Sequence, residues 1–229
     1  MRADETHFPT GWWGQGLDDV RLDVGTYGRY RHRDLPPLPF ATHGDFGWLI
    51  CQPPRNDHIA REKSVENDAA FTALLDDAAR RGLSLPSEFM VFFHSADLQH
   101  RVRSCTDCFL DLSATFVPSP LADGFLLRFL ADSQGCIFWY LYQRAGSPDH
   151  CVVASTDFYG SEAEQWQDDA PDPSQIIFCE ESFEAFMCRF WLENEIWFCS
   201  YENRPLFAEG RQYLECYGGR ASPEDKDGR

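Results

Sequence analysis

The stretch "HSADLQHRVRSCTDC" brings His94, His100, Cys105 and Cys108 within fifteen residues, the densest group of metal-capable side chains in the chain. Two imidazoles and two thiolates can fill a tetrahedral zinc shell. The spacing argues against it. Zinc knuckles and ribbons pair their ligands as two short doublets, and the gap between the histidines is loose. Asp107, lying between the cysteines, would raise their pKa and slow thiolate formation. The expectation is therefore no metal, with His94, His100, Cys105 and Cys108 kept as the alternative zinc set and Cys105/Cys108 as an alternative redox pair. Other chemistry is sparser. "GWWGQG" supplies Gly11, Gly14 and Gly16 without a preceding strand, a weak phosphate loop. Asp132 and Glu180 fall at strand ends and could pair as carboxylates, but such acids are commonplace. His7, His32, His43, His58 and His150 lie in loops with no serine or cysteine arranged for a triad. No nucleophile elbow, Walker loop or histidine pair on one helical turn is present. The sequence predicts a protein without a catalytic site and without a cofactor.

The elements that position these residues follow from periodicity. Residues 66–81 repeat Phe71, Leu74, Leu75 and Ala78 at helical spacing, with Asn67 able to cap the start and Gly82 to close the end. "LSLPSEFMVFFHSADL" predicts a second helix with Pro86 in its first turn and Phe89, Phe92 and Phe93 on one face. Then the period changes. Residues 124–132 and 135–143 read as a hairpin, 150–155 and 176–180 as two further strands, and 108–113 as a possible first one. Loops, two helices, antiparallel strands and one long helix, in that order, predict an α+β fold. Its sheet should have four to six strands with helices on one face, in a single domain.

The long helix, "SFEAFMCRFWLENEIWF" over 182–198, holds six aromatic residues and one asparagine. On a wheel, Phe183, Phe186, Met187, Phe190, Asn194, Trp197 and Phe198 share a sector of about 120°. Ala185, Cys188, Leu192, Ile196 and Cys199 lie opposite. Charges occupy two narrow flanks, Glu184 with Glu195 and Arg189 with Glu193, the latter pair four apart and able to bond. A helix apolar on two sides is sandwiched, so Phe190, Trp191 and Trp197 are expected to be structural. Asn194 is expected to tether backbone from a loop or strand edge, since an unpaired buried amide costs roughly 1–3 kcal/mol.

Composition bounds the partners. The chain has 229 residues and a net charge of −17. Residues 1–63 hold 8 basic and 9 acidic groups, whereas residues 155–199 hold 11 acidic groups and only Arg189. Nucleic acid is a poor partner for such a surface, because phosphate is repelled. A basic protein would be attracted. "MRADETHFPTGWW" has no apolar run after its first charge, and no window reaches the ~18 apolar residues of a membrane span. A cytoplasmic protein is expected, with its nine cysteines reduced. Cys136, Cys151, Cys179, Cys188 and Cys199 sit in apolar runs and should behave as small buried hydrophobes.

A helix leading into "GLSLPSEFMVFF", then "GFLLRFLADSQGCIFWYLY", "CVVAS" and "IIFCEESFEAFMCRFWLENEIWF", resembles bacterial members of the SUKH superfamily, the Smi/Knr-type proteins. The resemblance covers residues 66–200. It is carried by Leu85-Pro86 at a helix start, the paired aromatic strands and the closing segment from Ser182 to Phe198. It implies a SUKH-like domain over 66–215, preceded by a loop-rich extension over 1–65 packed on it and followed by a polar tail over 216–229. Many bacterial members are immunity proteins that neutralise a polymorphic toxin by binding it, and eukaryotic relatives are interaction scaffolds. The family has no common catalytic motif. For a basic toxin domain as partner, Glu162, Glu164, Asp168 and Asp169 around Trp166 form the expected binding segment, a phosphate-like decoy.

Overall fold

The computed structural model describes residues 1–2, 5–22, 25–61, 68–160 and 172–218. Strands β1 (Trp12–Gly14) and β2 (Gly28–Tyr30) pair antiparallel. A short α1 (Gly47–Ile50) follows, then α2 (Asp68–Arg80), α3 (Ser87–Phe93) and α4 (Ala96–Gln99). Strands β3 (Cys108–Leu110), β4 (Val117–Pro118), β5 (Phe125–Asp132), β6 (Phe138–Gln143), β7 (His150–Ser155) and β8 (Ile177–Glu180) build the main sheet, and α5 (Phe183–Tyr201) and α6 (Ala208–Gly218) close the chain. The sheet is six-stranded and antiparallel, in the order β3-β5-β6-β7-β8, with β4 also on β5. The α+β expectation holds.

Alternation along the strands makes two cores. Trp139 and Leu141 of β6, Val152 and Ala154 of β7, and Ile177 and Cys179 of β8 face the helices. Tyr140, Tyr142, Cys151, Val153 and Phe178 face the other way, where Phe8 and Tyr159 cover them. A register shift between Arg128 and Leu130 leaves Phe129 as the extra residue of a bulge. Both Phe129 and Leu130 consequently join the helical core.

The first sixty residues are part of that core. Trp12, Leu17, Phe46, Leu49 and Ile59 are buried in it. The backbone of residues 9–11 adds to the outer edge of β8: Gly11 N–H donates to Phe178 O at 2.9 Å and Phe178 N–H to Pro9 O at 2.8 Å. This occupies an edge that would otherwise invite pairing with another chain. Within residues 21–33 the short strand β2 forms, and it pairs with the distant β1.

Gly82 closes α2 at φ +69, the left-handed residue the sequence called for, while Asn67 lies outside the described residues. The tail predicted from residue 216 is helical as far as Gly218. Cys151, Cys179, Cys188 and Cys199 are buried as expected, and burial pushes the Cys151 thiol up to about 12. Cys136 departs from the expectation: it is exposed, because the turn between β5 and β6 runs from residue 133 to 137 and carries it outside the strand. No helix among the described residues is long and apolar enough to cross a membrane.

Candidate partner-binding groove and the helix that builds it

Helix α5 starts where Ser182 Oγ accepts from the Ala185 amide at 3.2 Å. Its aromatic sector meets the sheet and α3. The Phe183 ring lies 4.9 Å from that of Phe89 and 5.2 Å from that of Phe129, and Phe186 and Phe190 pack on Trp139. The opposite side is covered too: Cys188, Leu192 and Ile196 are buried in the core, and between the two sides Trp191 packs on Phe40, Trp48 and Phe207. The sandwich predicted from the wheel is what forms, and it buries Phe190 and Trp191.

All four charged side chains on the flanks are also buried. Glu193 accepts from Nη1 and Nη2 of Arg21, from Trp12 Nε1 at 2.8 Å and from the Tyr213 hydroxyl at 2.9 Å. Arg189 donates to Glu180, to Pro36 O at 2.9 Å and to the Tyr213 hydroxyl at 2.8 Å. Glu195 takes Arg103 at 2.8 Å and Arg55 at 2.7 Å. Glu184 accepts from the Gly44 and Phe46 amides and from Trp48 Nε1 at 3.1 Å, holding a turn in which Phe46 has φ +55. Burial by itself would lower the basicity of Arg21, but the Glu193 carboxylate outweighs it and raises the pKa. Burial and Glu193 likewise push the Tyr213 hydroxyl well up.

The expected Arg189–Glu193 pair is therefore replaced. Each side chain points off the helix into a different packed segment, where an i,i+4 bond would leave Arg21 or Glu180 buried without its counter-charge. Gly14 belongs to this network rather than to a phosphate loop: a Cβ there would stand 2.7 Å from Arg21 Nη2 and 2.9 Å from Glu193 Oε2.

Asn194 is the expected tether. Its Oδ1 accepts from the Cys105 amide at 2.7 Å, and its Nδ2 donates to Phe190 O at 2.8 Å. The remaining metal candidates are not brought together. His94 bonds Met90 O at 2.8 Å and edges onto Phe71, His100 stacks on His58 at 4.0 Å, and the Cys108 thiol lies 3.2 Å from the Tyr27 hydroxyl. Among the described residues no cluster of three or more His, Cys, Asp or Glu is arranged to hold a metal ion. Burial raises the Cys108 pKa, aided by Asp132 rather than by the neighbouring Asp107. Asp132 and Glu180, on strands separated by β6 and β7, bond Tyr27 and Arg189 respectively. Glu162, Glu164, Trp166, Asp168 and Asp169 lie outside the described residues.

Over its last two turns α5 emerges on one side only, Ile196 and Cys199 staying buried. Trp197 is half-buried and stacks on Tyr201 with ring centroids 4.9 Å apart and planes at 15°. Tyr201 is 71% exposed. The two rings, with Gly16, Leu17, Asp18, Ile196 and Ser200, line a groove of about 270 Å³. Its far wall is fixed. Arg21, anchored on Glu193, also donates to Gln15 O at 2.9 Å, and Ser200 Oγ donates to Asp18 Oδ1 at 2.9 Å. Asp18 has φ +48, in the left-handed region that Asp and Asn tolerate best. Trp197, expected to be structural, is thus a half-buried groove wall outside the core. Sequence reading stopped the aromatic face at Phe198 and missed Tyr201, although it follows Trp197 by one helical turn. Nothing in the sequence pointed to Asp18 or Ser200, which lie 182 residues apart and meet only in the fold. No protein-family model, curated protein or solved structure matches the chain.

Proposed function

We propose that the protein is a non-catalytic protein-binding module of the immunity type, neutralising a basic toxin domain by stoichiometric binding, with the Smi/Knr-type resemblance as its family context. The observation that carries this reading is where the ionisable groups go. Glu180, Glu184, Arg189, Glu193 and Glu195 are tied into buried structural bonds, whereas the groove at the end of α5 presents aromatic rings beside the exposed acids Asp18 and Asp19. Aromatic anchors slow release of a partner, and a surrounding negative field speeds its capture. The segment from Glu162 to Asp169, with four acids and no basic residue, adds to the negative charge of the whole chain.

The test is affinity capture from the native host followed by mass spectrometry. Recovery of one basic protein in equimolar amount, encoded beside this chain and inactivated by it, is the expected result. Several unrelated partners would point to a regulatory scaffold instead. Turnover of a small molecule by the purified protein would overturn the reading.

A further inference from the structure

We infer that the Trp197–Tyr201 groove is a receptor for an arginine side chain of the partner. The inference rests on the proposed binding function only for the identity of that partner. The motive is a pattern the protein repeats internally: a ring face flanked by a carboxylate and closed by a guanidinium. Arg21 lies 4.2 Å from the Tyr30 ring and bonds Glu193, and Arg103 lies 3.6 Å from the Phe198 ring and bonds Glu195. Arg61 lies 4.4 Å from the Phe109 ring and pairs with Asp107, and Arg128 lies 4.4 Å from the Phe158 ring and pairs with Asp111. At the groove the rings and the carboxylate are present, and among the described residues no arginine or lysine is recorded over Trp197 or Tyr201 or paired with Asp18.

The dimensions and chemistry agree with that occupant. A volume of about 270 Å³ is below the range of sites that enclose a drug-sized ligand and suits one long side chain. A planar guanidinium stacks on an aromatic face while donating to a carboxylate at its edge; an ammonium does this less well. Asp18 Oδ1 is held by Ser200, which aims the carboxylate without neutralising it. The lining contributes one acid and no base, within a chain of net charge −17.

The full-length protein is titrated with acetyl-Gly-Arg-Gly-amide, followed by the NMR signal of the Trp197 indole N–H, assigned by its loss in Trp197→Phe. The citrulline tripeptide, of equal shape and no charge, is the control. Saturable movement with arginine and none with citrulline is expected. Asp18→Asn keeps a residue that tolerates the backbone and removes the charge, and Tyr201→Ala removes an exposed ring. Each should weaken binding about two- to fivefold. Equal responses to arginine and citrulline, or affinity unchanged in both variants, would overturn the receptor. So would a nuclear Overhauser contact placing a basic side chain from residues 219–229 on the Tyr201 ring. The two readings separate cleanly. If a basic partner is captured but its affinity ignores Asp18→Asn and Tyr201→Ala, the receptor falls and neutralisation stands. If the tripeptide binds as described and no basic partner is captured, neutralisation falls and the receptor stands.

Discussion

Glu193 ties three distant parts of the structure together, because one carboxylate joins β1, the loop carrying Arg21, and α6. Replacing it with glutamine leaves Arg21 buried beside a neutral amide. Loss of one member of such a pair costs about 3–5 kcal/mol, so Glu193→Gln should unfold at markedly lower urea concentration. Gly14→Ala should destabilise through the same network, since the added methyl must displace Arg21 or the carboxylate. Asn194→Ala removes the acceptor of the Cys105 amide and should cost about 1–3 kcal/mol, measured in the same denaturation assay. A stability unchanged in Asn194→Ala would show that the Cys105 amide finds water instead. The tether was legible in the sequence because an asparagine amid rings must be satisfied locally. Its partner was not, because Cys105 lies far away along the chain.

At the scale of the element, α5 is helical from its own residues: a serine cap, an acid in the first turn and a wheel whose two sides are both apolar. Ser182→Ala should lower stability by about 1 kcal/mol in thermal or urea unfolding. The amides of α5 as far as Ile196 should exchange with solvent only on global unfolding, because that part of the helix is covered on every side. The last turn, around Tyr201, should exchange faster. The wheel located the charges on the flanks and paired Arg189 with Glu193, since the i,i+4 rule sees only one helix. In the molecule each charge belongs to a different neighbour. The helix is consequently a hub to which residues 12, 21, 36, 44, 46, 48, 55 and 103 are fastened. Helix α6 escaped the sequence reading because it is short and polar, with its buried Tyr213 carrying the decisive contact.

For the whole molecule, charge and acid sensitivity follow from what is buried. Burial lowers the pKa of His32 and His58 from the usual 6.5, His58 also being opposed by His100 stacked on it. Glu180 faces His32 and raises it, while Arg189 lowers it. A histidine kept neutral in the fold takes up a proton on unfolding, so its stabilising contribution is complete above pH 6.5 and is lost as pH falls towards the folded value. Asp77, buried yet held down by bonds from Arg81, the Phe116 amide and Arg80, adds a second loss below about pH 4. Thermal midpoints should therefore fall in two stages between pH 7 and pH 3, and His32→Phe should blunt the first. Capture of a partner should also weaken with salt. Reversing Glu162, Glu164, Asp168 and Asp169 should slow association and flatten that salt dependence in stopped-flow measurements; an unchanged rate would remove those acids from the encounter. Fewer acids reach the surface than the sequence count suggests, because Glu180, Glu193 and Glu195 are interior and paired with arginines, and Glu184 is interior and bonded to backbone amides and Trp48.

The sequence alone determined β3, β5, β6, β7 and β8, the helices α2 and α5 and the class of fold, because hydrophobic period and capping act over a few neighbouring residues. Strands β7 and β8, and the burial of both sides of α5, follow from that local pattern. Only the tertiary structure decided that the first sixty residues complete the core rather than append to it. It alone decided that Arg189 and Glu193 choose distant partners, and that Asp18 meets Trp197 and Tyr201 across a groove. Those outcomes depend on which buried charge must find which counter-charge across more than a hundred residues, and no local spacing encodes that choice.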